Sequence, residues 1–419
     1  MDKFLIKGHK PLRGLVEVGG SKNAALPILT ATLLGDSPSI IHNVPDLLDV
    51  QTMLSVLASL GVKVDKVDAR SYRIDPTLLS KAEAPYELIR KMRASFLVVG
   101  PLISCLGRAQ VPLPGGCAIG SRPVDLHLKG FSQLGVKVSM HSGYVEAWAE
   151  SLHGGQVYLD FPSVGATENI LMLASSIEEE TVITNAAREP EIADLSRFLS
   201  LMGADIQGAG TDTIVVRGKK KLLGNEYTIM NDRIEAGTFC VAAAITGGEV
   251  EIRGVDSFLI LSVLNKLEET GARVTKLGND RILISMLEQP RPVTIKTMPY
   301  PGFPTDMQAQ FMSLLCLADG VSVITETVFE NRFAHVGELE RMGAQIQVEG
   351  RSAVVLGVEK LTGAEVRATD LRAGAALVLA GLAAEMETLV YGVSHIDRGY
   401  EGIESKLKKL GASIERLAE

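Results

Sequence analysis

Six times along the chain an apolar helical pattern ends in glycine and is followed by an alternating strand pattern. The instances are Leu60-Gly61-Val62-Lys63-Val64, Leu134-Gly135-Val136-Lys137-Val138, Met202-Gly203-Ala204-Asp205-Ile206, Thr270-Gly271-Ala272-Arg273-Val274, Met342-Gly343-Ala344-Gln345-Ile346 and Leu410-Gly411-Ala412-Ser413-Ile414. By counting, the glycines lie 74, 68, 68, 72 and 68 residues apart. A glycine just past a helix is its expected left-handed cap, and the alternation after it predicts a strand. Each copy also predicts an earlier helix, beginning near Lys22, Arg93, Gly165, Arg233, Asp306 and Arg372. The bodies of these helices are small and apolar nearly all round, which predicts burial. Cys105, Cys240 and Cys316 fall in or just after them and read as core filler.

Short strands close each copy. Ile214 to Gly218 followed by Leu222-Leu223-Gly224 matches Val354 to Gly357 followed by Leu361-Thr362-Gly363. The last copy ends at Glu419 without such a strand, and the N-terminus supplies the same pattern as Leu5-Ile6-Lys7-Gly8 and Leu12-Arg13-Gly14. The first strand is therefore expected to complete the last copy. The resulting class is α/β, with two similar domains of three βαβαββ-type repeats each. Residues 21–230 form the N-terminal domain, and residues 1–20 plus 231–419 the C-terminal one. The chain then crosses between halves near Gly20 and Met230. Two crossings side by side predict a hinge, and ligand sites favour clefts between domains.

Bulk properties narrow the function. The chain has 419 residues, 46% hydrophobic and 22% charged, enough to bury a large core. A net charge of −8 argues against a nucleic-acid or membrane binder, so any anion site must draw on local positive charge. Four cysteines make no disulfide framework. Neither C-x-x-C nor H-E-x-x-H occurs, so no metal site is expected. The N-terminal residues lack an apolar signal core, and the longest apolar stretch, Phe96 to Leu106, is broken by Gly100 and Pro101. These features predict a cytoplasmic protein without membrane insertion.

Candidate chemistry gathers in loops and helix starts. Cys117 lies in Pro114-Gly115-Gly116-Cys117-Ala118-Ile119-Gly120-Ser121-Arg122-Pro123. Glycines and prolines display it, and a nearby cation lowers a thiol's pKa; the alternative is a surface loop with one small apolar residue. Four inner helices start at Lys22, Arg93, Arg233 and Arg372, and helix N-termini favour anions. Together they suggest a cleft lined for a polyanion, against the plainer fate of solvated surface charge. Asp306, the acid among these starts, is either a cap or a general base. Arg332 and Arg398 either join the anion site or pair with neighbouring acids.

The segments Gly20 to Pro27, Met92 to Ser95, Pro114 to Leu126, Asn185 to Ile192, Phe303 to Gln308 and Asp397 to Glu401 resemble those of the UDP-N-acetylglucosamine enolpyruvyl transferases, in order and over essentially the whole chain. The resemblance implies two domains, each an inside-out α/β barrel. It also implies transfer of the enolpyruvyl group of phosphoenolpyruvate to the sugar 3′-hydroxyl, with release of phosphate. This is the first committed step of peptidoglycan synthesis, a cell-wall process and the target of fosfomycin. No cofactor is implied. By position, Cys117, Asp306 and Lys22 are the implied catalytic residues, with Cys117 the general acid. Lys22, Asn23, Arg122 and Arg398 are the implied phosphoenolpyruvate contacts. The implied nucleotide-sugar contacts are Arg93, Arg122, Pro123, Val124, Asp125, Leu126, Ser163, Val164, Gly165, Asp306 and Val328. One departure is Phe161, where many members carry a basic residue beside the diphosphate.

Two other readings compete. The sister transferase acting on shikimate 3-phosphate shares the fold but lacks the Gly-Gly-Cys loop. A catalytically idle sensor of nucleotide sugars would need no acid–base pair, whereas Cys117, Asp306 and Lys22 are all present.

Overall fold

A computed structural model describes residues 2–113 and 124–418. These divide into two compact units, residues 20–113 with 124–230, and residues 2–19 with 231–418. Each unit is a mixed α/β structure with three separate sheets, none of them closed.

The plan of one copy follows from its sequence. An inner helix leads to a central strand, an outer helix and a returning hairpin. The outer helices end where the pattern places them, and Gly61, Gly135, Gly203, Gly271, Gly343 and Gly411 all take positive φ, between 91° and 124°. Side chains rarely adopt that conformation, so glycine sets each helix end and aims the chain into the hairpin.

The central strands are Ser39–His42, Arg108–Pro112, Glu180–Thr184, Glu249–Arg253, Val321–Thr325 and Glu387–Tyr391. In five copies the second hairpin strand returns antiparallel beside the central one. In the sixth that place is filled by Lys3–Lys7, from the other end of the chain. It pairs antiparallel with Glu387–Tyr391 (Leu5 opposite Leu389) and with Ser413–Leu417 (Phe4 opposite Arg416). Alternation buries Phe4 and Ile6 completely.

The chain then passes to the next sheet of its unit as a parallel edge strand. Gly155–Tyr158 joins Glu180–Thr184, Thr294–Lys296 joins Val321–Thr325, and Glu365–Arg367 joins Glu387–Tyr391. The third copy hands back to the first in the same way: Glu226–Thr228 joins Ser39–His42, and Arg13–Glu17 joins Glu249–Arg253. The sheet of the second copy receives only a bridge, Glu83 to Gln110. Three sheets thereby surround three inner helices in each unit.

Those helices pack against one another. One set is Arg233–Ile245, Gln308–Leu315 and Leu371–Ala383; the other is Lys22–Ala31, Val164–Ala174 and the segment of Arg93–Val98 with Val99–Leu106. Their small residues allow close approach, and every residue of Arg233–Ile245 is buried. Cys240 and Cys316 are fully buried, and burial pushes both thiols up to about 12, which makes them inert. Cys105 corrects the core expectation. It lies in the last turn of Val99–Leu106 as an exposed residue, its sulfur donating to the Leu33 carbonyl at 3.2 Å. Among the described residues, no helix is long and apolar enough to cross a membrane.

Candidate active site

The starts of the inner helices carry the charged side chains. In the unit containing residues 231–418, Asp306 lies in the short helix Thr305–Met307 that leads into Gln308–Leu315. The cap positions are Pro304 and Met307, and neither provides a side-chain cap. The Asp306 carboxylate faces two guanidinium groups instead. Arg332 Nη2 donates to Oδ1 at 2.7 Å, and Arg372 Nη2 donates to Oδ2 at 2.9 Å. Both arginine side chains are nearly buried, at 3% and 4% exposure, while Asp306 keeps 28%. Charge-assisted bonds are roughly twice as strong as neutral ones, so they fix both oxygens. Arg332 is therefore tied to a neighbouring acid, one of the two roles its sequence allowed.

Arg372 is itself well placed. Asp370 caps the start of Leu371–Ala383 by accepting from the Arg372 and Ala373 backbone N–H groups, and the Arg372 guanidinium lies 5.4 Å from the centroid of the Tyr400 ring. Burial opposes its charge, but Asp306, Tyr400 and Asp232 outweigh burial and raise its pKa. The Tyr400 hydroxyl meets Thr238 at 2.9 Å and accepts from Gln310 at 3.1 Å. Gln310 also donates to the Asp306 carbonyl at 2.8 Å. Arg398 is half-buried. Its neighbour Asp397 accepts from Arg416 Nη1 and Nη2 at 3.0 and 2.6 Å, and Arg416 Nε donates to Asp2 at 2.7 Å. The last strand and the N-terminus thereby hold the Asp397–Arg398 segment.

In the unit containing residues 20–230, backbone crowding sets the first helix. A Cβ on Gly20 would lie 1.8 Å from the Asn43 carbonyl oxygen, so only glycine fits. Ser21 caps Lys22–Ala31, placing Lys22 and half-buried Asn23 in its first turn. Lys22 Nζ lies 3.3 Å from Asp49, at the start of an outer helix.

The expected nucleotide-sugar contacts converge on a residue the sequence did not flag. His127 lies in Asp125–Ser132, beside Val124, Asp125 and Leu126. A Cβ on Gly165 would lie 3.4 Å from its ring, and Ser163 caps the helix that Val164 and Gly165 begin. Phe96 stacks edge-on against it at 5.2 Å, and Asn169 bonds its Nδ1 at 3.2 Å. Burial, then the charge of Arg93, push the His127 pKa down to about 3. Glu168, in Val164–Ala174, is also buried; burial and the nearby Glu191 and Glu189 hold its carboxyl well above the usual range.

His127 predicts an acid sensitivity. Its folded value of about 3 lies below the ordinary 6.5. Between those values the unfolded chain binds the extra proton, so stability present above 6.5 is lost as pH falls. Urea unfolding at several pH values is expected to show His127→Gln with a pH slope shallower by close to one proton over about pH 4 to 6. Equal slopes would show that His127 protonates without unfolding the chain.

Val328 and Phe161 complete the described set. The Val328 backbone N–H donates to buried Glu326 at 2.7 Å, and Phe161 is 43% exposed, its carbonyl accepting from Ser163 N–H at 2.7 Å. Cys117, Arg122 and Pro123 lie outside the described residues. Among the described residues, no group of three or more His, Cys, Asp and Glu side chains could hold a metal ion.

The two triple-repeat units, each with charged inner-helix starts, have counterparts among known proteins. A family model described as EPSP synthase (3-phosphoshikimate 1-carboxyvinyltransferase) matches residues 6–407. The chain belongs to this family. Within it, the chain is 55% identical over 420 residues to UDP-N-acetylglucosamine 1-carboxyvinyltransferase 2 of Carboxydothermus hydrogenoformans, covering 100% of both chains. It is 53% identical over 418 residues to UDP-N-acetylglucosamine 1-carboxyvinyltransferase of Idiomarina loihiensis, again covering 100% of both. The enolpyruvyl transferase NikO of Streptomyces tendae has a similar structure, with a TM-score of 0.88 at 26% identity, over 100% of this chain and 99% of that one. An EPSP synthase of Acinetobacter baumannii shares the fold, with a TM-score of 0.76 at 19% identity over 100% of both chains.

Proposed function

We propose that the chain transfers the enolpyruvyl group of phosphoenolpyruvate to the 3′-hydroxyl of UDP-N-acetylglucosamine and releases phosphate. The supporting observation is full-length identity of 53–55% to four relatives that all carry the name UDP-N-acetylglucosamine 1-carboxyvinyltransferase. The sequence Gly115-Gly116-Cys117 favours it over the shikimate 3-phosphate reaction. In this reading the two units are the domains 21–230 and 1–20 with 231–419, and the protein works in the cytoplasm on a peptidoglycan precursor.

The chemistry needs an acid and a base. Oxygen attacks C2 of phosphoenolpyruvate as C3 gains a proton; in a second step the C3 methyl gives up a proton as the bond from C2 to phosphate breaks, which restores the C2=C3 double bond and releases phosphate. Cys117 delivers the proton to C3. Asp306, held by Arg332 and Arg372, orients the 3′-hydroxyl and takes its proton as the C–O bond forms. Lys22, Asn23, Arg122 and Arg398 hold the phosphate and carboxylate of phosphoenolpyruvate, where positive charge stabilises the departing phosphate. Arg93, Arg122 to Leu126, Ser163 to Gly165 and Val328 take the nucleotide sugar.

Fosfomycin tests the assignment of the thiol. The epoxide is expected to alkylate Cys117 alone and to abolish phosphate release, while Cys117→Asp, whose carboxyl can also give a proton, retains some turnover and resists the drug. Peptide mass mapping that finds the adduct on Cys105, Cys240 or Cys316 would remove Cys117 from the mechanism.

A further inference from the structure

The residue that follows the central strand turns the chain. In four copies it is Asn43, Asn185, Gly254 or Gly392, each with positive φ between 56° and 94°. In the fifth copy the position after Val321–Thr325 belongs to Glu326, which is not among the positive-φ residues described. The second copy also lacks the turn, with Leu113 after Arg108–Pro112, but among the six only Glu326 puts a charged side chain at this position, which marks a site with another task.

Glu326 is 1% exposed. No lysine or arginine pairs with it among the described residues; its donors are neutral. Oε1 accepts from the Thr297 hydroxyl at 2.7 Å and from the Val328 and Phe329 N–H groups at 2.7 and 3.2 Å. Oε2 accepts from the Thr305 hydroxyl at 2.8 Å. Burying a carboxylate without a cation is costly and is offset only by full hydrogen bonding. Capping the turn would need one oxygen. The second reaches the residue before Asp306.

The contacts close a ring. Glu326 fixes Phe329 N–H, and the Phe329 ring lies 5.6 Å from the Arg332 guanidinium. Arg332 holds Asp306 Oδ1, and Thr305, next to Asp306, returns to Glu326. We infer that Glu326 is a positioning residue for the transfer, setting the Asp306 carboxylate and the Val328 backbone in one fixed relation. The inference rests on the reading in which Asp306 and Val328 meet the nucleotide sugar.

Steady-state kinetics on the full-length chain with phosphoenolpyruvate and UDP-N-acetylglucosamine test it. Glu326→Gln, which keeps an oxygen for Val328 and Phe329, is expected to hold kcat within about threefold of wild type. Glu326→Ala is expected to lose at least about tenfold in kcat/KM for the nucleotide sugar. Thr305→Val leaves the turn capped and cuts only the link to Asp306. It is expected to lower kcat about five- to tenfold, with the KM for nucleotide sugar and the melting temperature near wild type. That split separates positioning from stability, and it decides the matter should Glu326→Ala fail to fold. Wild-type kinetics in Thr305→Val and in the folded Glu326 variants would overturn the inference alone. A wild-type chain that releases no phosphate would overturn the functional reading, and the inference with it.

Discussion

A chain lacking residues 1–14 is expected to lose the cooperative folding of its 231–418 unit. Lys3–Lys7 is an interior strand, paired on both sides. Its removal exposes two strand edges, Glu387–Tyr391 and Ser413–Leu417, which then invite association with other chains. Phe4, Ile6 and Leu12 are each 0% exposed. Emptying a buried position of that size costs about 2–5 kcal/mol. Three such losses reach the whole stability of a typical domain, about 5–15 kcal/mol. Calorimetry of the truncated protein should therefore show one unit melting far below the other, or not folding at all, with activity lost. Melting and activity equal to wild type would mean that the first strand is dispensable.

Asp306→Asn should stay folded, bind both substrates and turn over at least about a hundredfold slower, the usual size of a general-base contribution. The structure adds a second effect. An amide has one acceptor oxygen, so either Arg332 or Arg372 loses its partner, and both are nearly buried. That loss should lower stability by about 1–3 kcal/mol. A capping role predicts the reverse pattern, with both rate and stability kept, because Asn caps about as well as Asp. Phosphate release near the wild-type rate from Asp306→Asn would remove the carboxylate from the chemistry.

The parts of the fold legible in sequence are those fixed by local backbone chemistry. Gly61, Gly135, Gly203, Gly271, Gly343 and Gly411 stand out because each helix end needs positive φ. The place of Lys3–Lys7 is legible because its glycine spacing repeats that of two other closing segments. The candidate site is legible as a set of residue types at helix starts, but its pairings are not. Arg332 and Arg372 reach Asp306 across 26 and 66 residues of chain. The sequence leaves Asp306 as either a cap or a general base; the cap positions fall on Pro304 and Met307, and its side chain meets the arginines instead. His127 carries no motif of its own; only the packing of Phe96, Asn169 and Gly165 around it gives it a role. Glu326 could have been found by aligning the six copies at the end of their central strands, where four carry Asn or Gly, the second carries Leu113 and only the fifth carries an acid. Cys105 misled because it belongs to an apolar helix, yet it sits in the last turn of Val99–Leu106, where it is exposed.

The central claim is the reaction, and release of inorganic phosphate measures it most directly. Purified protein given phosphoenolpyruvate and UDP-N-acetylglucosamine together should release phosphate and form one enolpyruvyl nucleotide sugar per phosphate. Either substrate alone should give none. Phosphate release with shikimate 3-phosphate in place of the nucleotide sugar, or none with both proposed substrates present, would contradict the account.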